Sequence, residues 1–193
     1  MPEDRLTPEL LWKLPRVGSP VPDQTGARFV VPVTTYDIEK NEGLTRLWLG
    51  GDGGLRPITS DTSATSPAWN PNGESVAFLR KTPAGDSAGA EKQQLWLLPL
   101  NGGEPRKLTD MPLGASDPKW LPDGRRIAFL SPLHEGHFSI EATAAEVERR
   151  KESKVKARTS ENRFYRFWDH WICDDPFMHI WLLEVETNQL TDL

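Results

Sequence analysis

The sequence predicts an all-β fold: a partial β-propeller of about three four-stranded blades, with a helical insertion near residues 139–160. The segment SPAWNPNGESVAFLR at residues 66–80 is nearly repeated as SDPKWLPDGRRIAFLS at residues 116–131. Three kinds of marker also recur in the same order: a phenylalanine, a tryptophan, and an aliphatic residue followed by threonine. Four antiparallel strands repeated every 40 to 50 residues or so are typical of propeller blades.

The markers divide the chain into units. The phenylalanines are Phe29, Phe78 and Phe129, the tryptophans are Trp48, Trp96 and Trp181, and the closing pairs are Ile58-Thr59, Leu108-Thr109 and Leu190-Thr191. They predict an N-terminal extension at 1–25 and an incomplete propeller at 26–193, with blades at about 26–60, 66–110 and 116–193. A β-sandwich with accidental internal similarity is the alternative.

The second unit shows the expected strands most clearly. Its strands are predicted at 67–69, 75–80, 94–100 and 105–109. The first hairpin turn is NPNG at 70–73, in which proline fixes φ and Asn72-Gly73 supply the positive φ angles of a tight hairpin. The second turn is NGGE at 101–104. The apolar strand centres suit a sheet that packs against neighbours on both faces.

The third unit carries an insertion at 134–162. Residues 139–160, SIEATAAEVERRKESKVKARTS, contain no proline or glycine and have a helical composition. Glu146 with Arg150, and Glu152 with Lys156, form favourable i,i+4 pairs. Because the apolar stripe is thin, we expect a surface helix. The aromatic-rich segment at 162–185 should contain the strand pair that resumes the blade.

Composition limits the possible functions. The chain has 193 residues and a formal net charge of −5, which disfavours general affinity for nucleic acid or an anionic membrane. The single cysteine, Cys173, cannot form an internal disulfide. The first residues do not resemble a secretory signal, and no apolar run reaches about 18 residues. A cytoplasmic location is therefore expected, without cofactors.

Three stretches carry a resemblance to a known family: SDPKWLPDGRRIAFLS, LPLNGGEPRKLTD and KESKVKARTSENRFYRFWDHW. With them the chain, from about Thr7 to Leu193, resembles the prolyl oligopeptidase family of serine peptidases, and most closely the N-terminal propeller of its dipeptidyl- and acylaminoacyl-peptidase branch. The resemblance implies a propeller of seven or eight blades that admits only short peptides to a C-terminal α/β-hydrolase domain with a Ser-Asp-His triad.

The sequence departs from that pattern. It holds only three units, no hydrolase domain, and no adjacent glutamates of the kind that grip a substrate amino group in some relatives. We therefore expect a non-catalytic, substrate-gating portion of a peptidase. Its expected partners are a C-terminal α/β-hydrolase domain, short peptides, and a second copy of the chain if the ring is completed by oligomerisation. A TolB-like interaction module without enzymatic activity is the alternative, and a degenerate or truncated paralogue is a third hypothesis.

Several segments have residue types that could carry chemistry. Ser87 lies in GDSAG at 85–89, a G-x-S-x-G pattern, but the flanks are typical of a hairpin loop and not of a strand and a helix. The HEGH segment at 134–137 lacks the spacing that aligns two imidazoles on a helix. We predict no catalytic residue and no metal site, and the substrate-binding residues stay unknown.

The aromatic segment and the basic run are also expected to be structural. Arg166 and Asp169 should bond to each other or to loop backbone, with Trp168 and Trp171 packed between blades. A role of Arg166, Asp169 and His170 in contacting substrate or a hydrolase domain is the alternative. Cys173 is interpreted as a small hydrophobic residue. The basic residues Arg149, Arg150, Lys151, Lys154, Lys156 and Arg158 are interpreted as a solvated helix face.

Overall fold

Three antiparallel sheets follow one another along the chain. The computed structural model describes residues 7–60, 63–81, 92–155, 157, 164, 166–171 and 176–193. The elements are α1 (Pro8–Lys13), β1 (Arg16–Val17), β2 (Val21–Pro22), β3 (Phe29–Asp37), β4 (Glu42–Gly51), β5 (Gly54–Pro57), β6 (Ala64–Trp69), β7 (Ser75–Lys81), β8 (Gln93–Pro99), β9 (Arg106–Lys107), β10 (Ser116–Trp120), β11 (Arg126–Leu133), α2 (Ile140–Glu152), β12 (Arg166–Phe167), β13 (His170–Trp171), β14 (Phe177–Glu184) and β15 (Gln189–Asp192).

Each sheet has the same strand order. The second sheet is β6-β7-β8-β9 and the third is β10-β11-β14-β15. In the first sheet β3, β4 and β5 follow in the same way, and the short strands β1 and β2 both pair with β3 in place of a single first strand. The structure thus begins the first sheet at Arg16, ahead of the predicted boundary at residue 26. β12 and β13 form a separate hairpin inside the insertion.

The pairing of the second and third strands tests the phenylalanine marker. Trp96 lies opposite Phe78, and Trp181 lies opposite Phe129. Trp48 lies opposite Val31, whereas Phe29 lies opposite Gly50. The tryptophans are therefore equivalent, but the assignment of Phe29 to the phenylalanine series is wrong. Val31 occupies that position, two residues further along the same strand.

The closing pairs, each an aliphatic residue followed by threonine, are correctly assigned in two of the three sheets. The hydroxyls of Thr59 and Thr109 each accept a hydrogen bond of 2.9 Å, from the backbone N–H of Leu47 and Leu95 respectively. The preceding residues, Ile58 and Leu108, donate to the carbonyls of the same two leucines. In the third sheet Leu193 donates to Ile180, the residue that corresponds to Leu47 and Leu95. Leu193 is therefore the counterpart of Ile58, and the pair Leu190-Thr191 was wrongly aligned.

The turn between the first two strands is the same in every sheet. Gly26, Gly73 and Gly124 have φ angles of +72°, +71° and +67°. Each donates its N–H to the carbonyl three residues earlier, on Asp23, Asn70 and Leu121. Within the described turns only the glycine adopts the left-handed region, so the expected positive φ at Asn72 is wrong. The turn instead has a single left-handed residue, the glycine, shortly before the second strand.

The core consists of two separate layers between neighbouring sheets. On the second sheet, Val76, Phe78 and Leu98 belong to the cluster shared with the first sheet. Their neighbours along the strands pack instead with residues of the third sheet, and these neighbours are Ala77, Leu79, Leu95 and Leu97. The strands therefore alternate between two apolar faces, as expected of a sheet stacked between two others and not of a sandwich with one interior.

The first strands lie side by side and are joined by indole hydrogen bonds. Trp69 Nε1 donates to the carbonyl of Val21 at 2.8 Å, and Trp120 Nε1 donates to that of Ala68 at 3.1 Å. Each bond joins one sheet to the sheet before it, and the acceptor lies at the same position of the strand. The repeated tryptophan therefore sets the spacing of the sheets at this edge.

The helical insertion is confirmed, but the helix is shorter than predicted. It begins after Ser139, whose hydroxyl accepts the N–H of Ala142 at 3.1 Å, and it ends at Glu152. The hydroxyl of Ser153 then bonds to the backbone of Val155, a local alternative to helical bonding that ends the helix. Among the described residues, no helix has the length and apolar character required to cross a membrane.

Candidate functional site in the third sheet and its insertion

The HEGH segment forms a tight turn where β11 meets the insertion. His137 donates its backbone N–H to the carbonyl of His134 at 2.9 Å, and Gly136 has φ of +75°. The hydroxyl of Thr143, in the first part of α2, donates to the carbonyl of His137 at 2.7 Å and accepts the N–H of His134 at 3.2 Å. The turn is thereby fastened to the helix. Within the described ranges no three side chains of His, Cys, Asp or Glu gather as metal ligands would.

The buried side of α2 is polar. Glu146 is only 5% exposed, although the thin apolar stripe had suggested an ordinary surface helix. Its carboxylate accepts hydrogen bonds from Arg149 at 2.6 and 2.7 Å and from Arg150 at 2.6 Å, and His137 Nε2 lies 3.8 Å away. The bonds from Arg149, followed by those from Arg150, outweigh burial and lower the pKa of Glu146 to about 2. Arg149 and Arg150 of the basic run are thus paired with a carboxylate of their own helix.

Replacing Glu146 with glutamine is expected to lower the free energy of unfolding by roughly 1–2 kcal/mol at pH 7, because two half-exposed guanidinium groups lose their shared carboxylate. Since the folded pKa of about 2 lies below the ordinary value of 4.5, the stabilisation is complete above pH 4.5 and is lost as the pH falls towards 2. Urea unfolding at pH 7 and again near pH 2 measures both effects.

The matched control is Glu148→Gln, two residues further along the same helix. The side chain of Glu148 is 44% exposed and lies 3.8 Å from Lys151. Its loss is expected to change the free energy of unfolding by less than about 0.5 kcal/mol at either pH. Equal effects of the two substitutions would contradict the role assigned to Glu146.

A row of serine, histidine and aspartate crosses the third sheet, and sequence reasoning missed it. Ser131 on β11 lies opposite His179 on β14. His179 Nδ1 lies 2.9 Å from Asp192 Oδ2, on β15. The aspartate can therefore orient the imidazole, as in a hydrolase triad. Phe138 packs against the imidazole, with ring centres 6.2 Å apart.

The row lacks the geometry of a triad. The hydroxyl of Ser131 is fully buried and donates to the carbonyl of Gly114 at 2.7 Å. A nucleophilic serine must instead be exposed to substrate and donate to its base, beside donors for an oxyanion. The carbonyl of the same serine accepts the indole N–H of Trp181 at 3.2 Å. Ser131 therefore holds the third sheet in place, and its hydroxyl does not donate to the His179–Asp192 pair.

The hairpin β12–β13 exposes aromatic side chains. Phe167 is 66% exposed and Trp168 is 82% exposed, with Trp168 at φ of +54°. The packing of Trp168 between blades, which the sequence had suggested, is therefore wrong. The bonding of Arg166 to loop backbone is confirmed, because its Nε donates to the carbonyl of Trp168 at 2.6 Å. The strained turn places the indole on the outside of the insertion.

Some candidates lie outside the described residues. These are Ser87 with its glycine-rich loop, Lys156, Arg158, Cys173, and the side chains of His170 and Trp171.

Comparisons with known proteins identify peptidases as relatives. No family model matches the chain. The chain is 37% identical over 118 residues to the uncharacterized peptidase YuxL of Bacillus subtilis, which covers 60% of the chain and 17% of that protein. It is 26% identical over 174 residues to dipeptidyl-peptidase 5 of Porphyromonas endodontalis, covering 89% of the chain and 23% of that protein. The chain thus spans about a fifth of the length of these relatives.

A shorter match is to a protein that is not named as a peptidase. Over 65 residues the chain is 37% identical to the Tol-Pal system protein TolB of Rickettsia akari, which covers 34% of the chain and 14% of that protein.

Solved structures share the fold. An acylaminoacyl peptidase of Pyrococcus horikoshii matches 94% of the chain and 25% of its own length, with a TM-score of 0.67 and 15% identity. The β-propeller domain of the trilobed protease from Pyrococcus furiosus matches 94% of the chain and 44% of its own length, with a TM-score of 0.57 and 14% identity. The predicted propeller fold and the predicted resemblance to peptidases are both confirmed.

Proposed function

We propose, on the premise that the chain is similar to the propeller portions of peptidases, that it is the non-catalytic, substrate-gating part of a serine peptidase. A C-terminal α/β-hydrolase domain of the parent protein would carry out the chemistry, which is acyl transfer from a peptide to serine followed by hydrolysis. The propeller would admit short peptides and exclude folded proteins. The similarity to YuxL, at 37% identity over 118 residues, carries this proposal.

The outer face of the third sheet supports a ring with more sheets. By register, Ala128, Leu130, Ile180 and Leu182 correspond to the residues with which the second sheet packs against the third. All four are apolar, and Ile180 is 51% exposed. Apolar faces of this kind usually pack against a partner. A further sheet of the parent protein would cover this face, and a second copy of the chain is the alternative occupant.

The buried hydroxyl of Ser131 supports the non-catalytic assignment. Ser131 lies opposite an imidazole that is oriented by a carboxylate, and its hydroxyl donates to the carbonyl of Gly114 and not to that imidazole. A substrate carbonyl would have to enter the layer between two sheets to reach it. The proposed cytoplasmic location of the parent protein stays a prediction.

Covalent labelling tests the proposal. The natural protein that contains this sequence is treated with a fluorophosphonate probe, which reacts with the active serine of serine hydrolases, and the adduct is located by mass spectrometry. The expected adduct lies on a serine outside residues 1–193, and Ser131→Ala is expected to leave labelling unchanged. An adduct on Ser131 or Ser87 would overturn the non-catalytic assignment.

The TolB match supports a second candidate, an interaction module without peptidase activity. The same experiment separates the two functions. Complete absence of labelling in the natural protein, with no hydrolysis of dipeptidyl or acylaminoacyl substrates, would favour the interaction module.

A further inference from the structure

We propose that the cleft between the outer parts of the first and second sheets binds a carboxylate carried on an apolar body. This site is independent of the proposed gating function. The cleft has a volume of about 510 Å³, and the residues around it include Arg56, Pro57, Arg80, Leu98 and Leu100. This volume falls within the usual range of small-ligand sites, roughly 300–1,000 Å³.

Two hydrogen-bond donors lack an acceptor: one on Arg80, which lines the cleft, and one on Trp96, which packs against Arg80 outside the lining. The guanidinium of Arg80 lies over the ring of Trp96, with its central carbon 4.6 Å from the ring centre. Arg80 Nε and Trp96 Nε1 are both buried, and neither has a hydrogen-bond partner among the described residues. Buried donors without partners are costly, and an acceptor that reaches the Arg80 guanidinium from the cleft would lower that cost.

The third sheet shows what happens at this position without an arginine. Ser131 occupies the place that Arg80 has in the second sheet, since Phe129 and Phe78 are equivalent. There the indole N–H of Trp181 donates to the carbonyl of Ser131 at 3.2 Å. In the second sheet the indole is covered by the guanidinium and makes no such bond. The unsatisfied donors are therefore specific to the second sheet and do not belong to the repeated unit.

The cleft favours an anion. Its described lining contains two cations, Arg56 and Arg80, and no acidic side chain. The stacking of Arg80 on an aromatic ring fixes the plane of its guanidinium, which suits a group that accepts two parallel hydrogen bonds. A carboxylate is such a group.

The remaining walls define the rest of the ligand. They are largely apolar and comprise Pro57, Ile58, Leu98, Pro99, Leu100 and Pro105. A doubly charged phosphate would lose much of its hydration against such walls without full compensation, so a monoanion with an apolar body fits better. The C-terminal residue of a peptide that ends in leucine, and an aliphatic carboxylic acid, share this chemistry.

The experiment follows the indole N–H signal of Trp96 by NMR, assigned with Trp96→Phe. The chain is titrated with N-acetyl-leucine, N-acetyl-leucinamide, octanoate and inorganic phosphate. N-acetyl-leucine is expected to shift the signal and to bind at least about tenfold more tightly than its amide, because the amide lacks the charge. Tighter binding of N-acetyl-leucine than of octanoate would identify a peptide terminus, and the reverse would identify an aliphatic acid.

A variant and its control complete the test. Arg80→Gln is expected to weaken binding of the acid at least about tenfold. Arg16→Gln should leave it unchanged, because Arg16 lies over the ring of Tyr36 at 5.1 Å, outside the cleft. If Arg80→Gln does not fold, Arg56→Gln takes its place and is expected to weaken binding of the acid by the same factor, at least about tenfold. Equal affinity for acid and amide, phosphate binding as tight as that of the acid, or no loss in the arginine variant would overturn the proposal.

Discussion

Replacing Phe129 with alanine is expected to lower the free energy of unfolding by about 3–5 kcal/mol. The ring is 1% exposed, lies opposite Trp181, and belongs to the apolar layer between the second and third sheets. Two stacked sheets cannot collapse into the space left by one ring without losing their other contacts, so a cavity should remain. Urea unfolding, followed by tryptophan fluorescence and circular dichroism, measures the change.

The matched control is Phe29→Ala, which removes the same side chain from the first sheet. Phe29 is 36% exposed, and its ring lies over Gly50 at the start of β3. Its removal is expected to cost less than about 1.5 kcal/mol, because little apolar area leaves a closed layer. If the two variants lost similar free energies of unfolding, the register would be contradicted. In that register Val31, and not Phe29, is the counterpart of Phe129.

The sequence predicts the number and order of the sheets well, because turns and tryptophans occupy fixed places in each unit. It fails on register at Phe29. A shift of two residues along a strand keeps every side chain on the same face, so Phe29 and Val31 fit the apolar pattern equally well. Only the partner across the strand pair distinguishes them. Leu190-Thr191 was misaligned for a different reason: Leu190 and Leu193 lie three residues apart, and only the hydrogen bond from Leu193 to Ile180 shows which leucine is the counterpart of Ile58.

The candidate site was less predictable. The pairing of Glu146 with Arg150 follows from helical spacing, but the burial of Glu146 depends on contacts that helical spacing does not fix, among them that with His137 of the HEGH turn. Counting outward from the hairpin turn, where Glu184 lies opposite Gln189, places Asp192 opposite Trp181, and His179 is then its diagonal neighbour on the same face. The carboxylate cleft could not have been found, because its two arginines come from different sheets and meet only when these stack.

Replacing Gln94 with leucine is expected to lower the free energy of unfolding by about 2–4 kcal/mol. The amide is fully buried and all of its bonds are to the segment that connects the second sheet to the third. Its Nε2 donates to the carbonyl of Met111 at 2.8 Å, and its Oε1 accepts the N–H of Met111 at 2.9 Å and the hydroxyl of Thr109 at 3.0 Å. Leucine would leave these groups buried without partners. Urea unfolding measures the loss.

The adjacent Gln93→Leu is the matched control, because Gln93 is half-buried and its side chain makes one bond, of 3.2 Å, to Thr65. We expect it to cost less than about 1 kcal/mol. Hydrogen exchange adds a local measurement, since the connecting segment also accepts the Ser131 hydroxyl at Gly114. In Gln94→Leu the amides of Met111 and Gly114 should exchange faster than those of Val76 and Phe78, which lie in the other layer. Uniform loss of protection would mean that Gln94 stabilises the whole propeller and not the joint between two of its sheets.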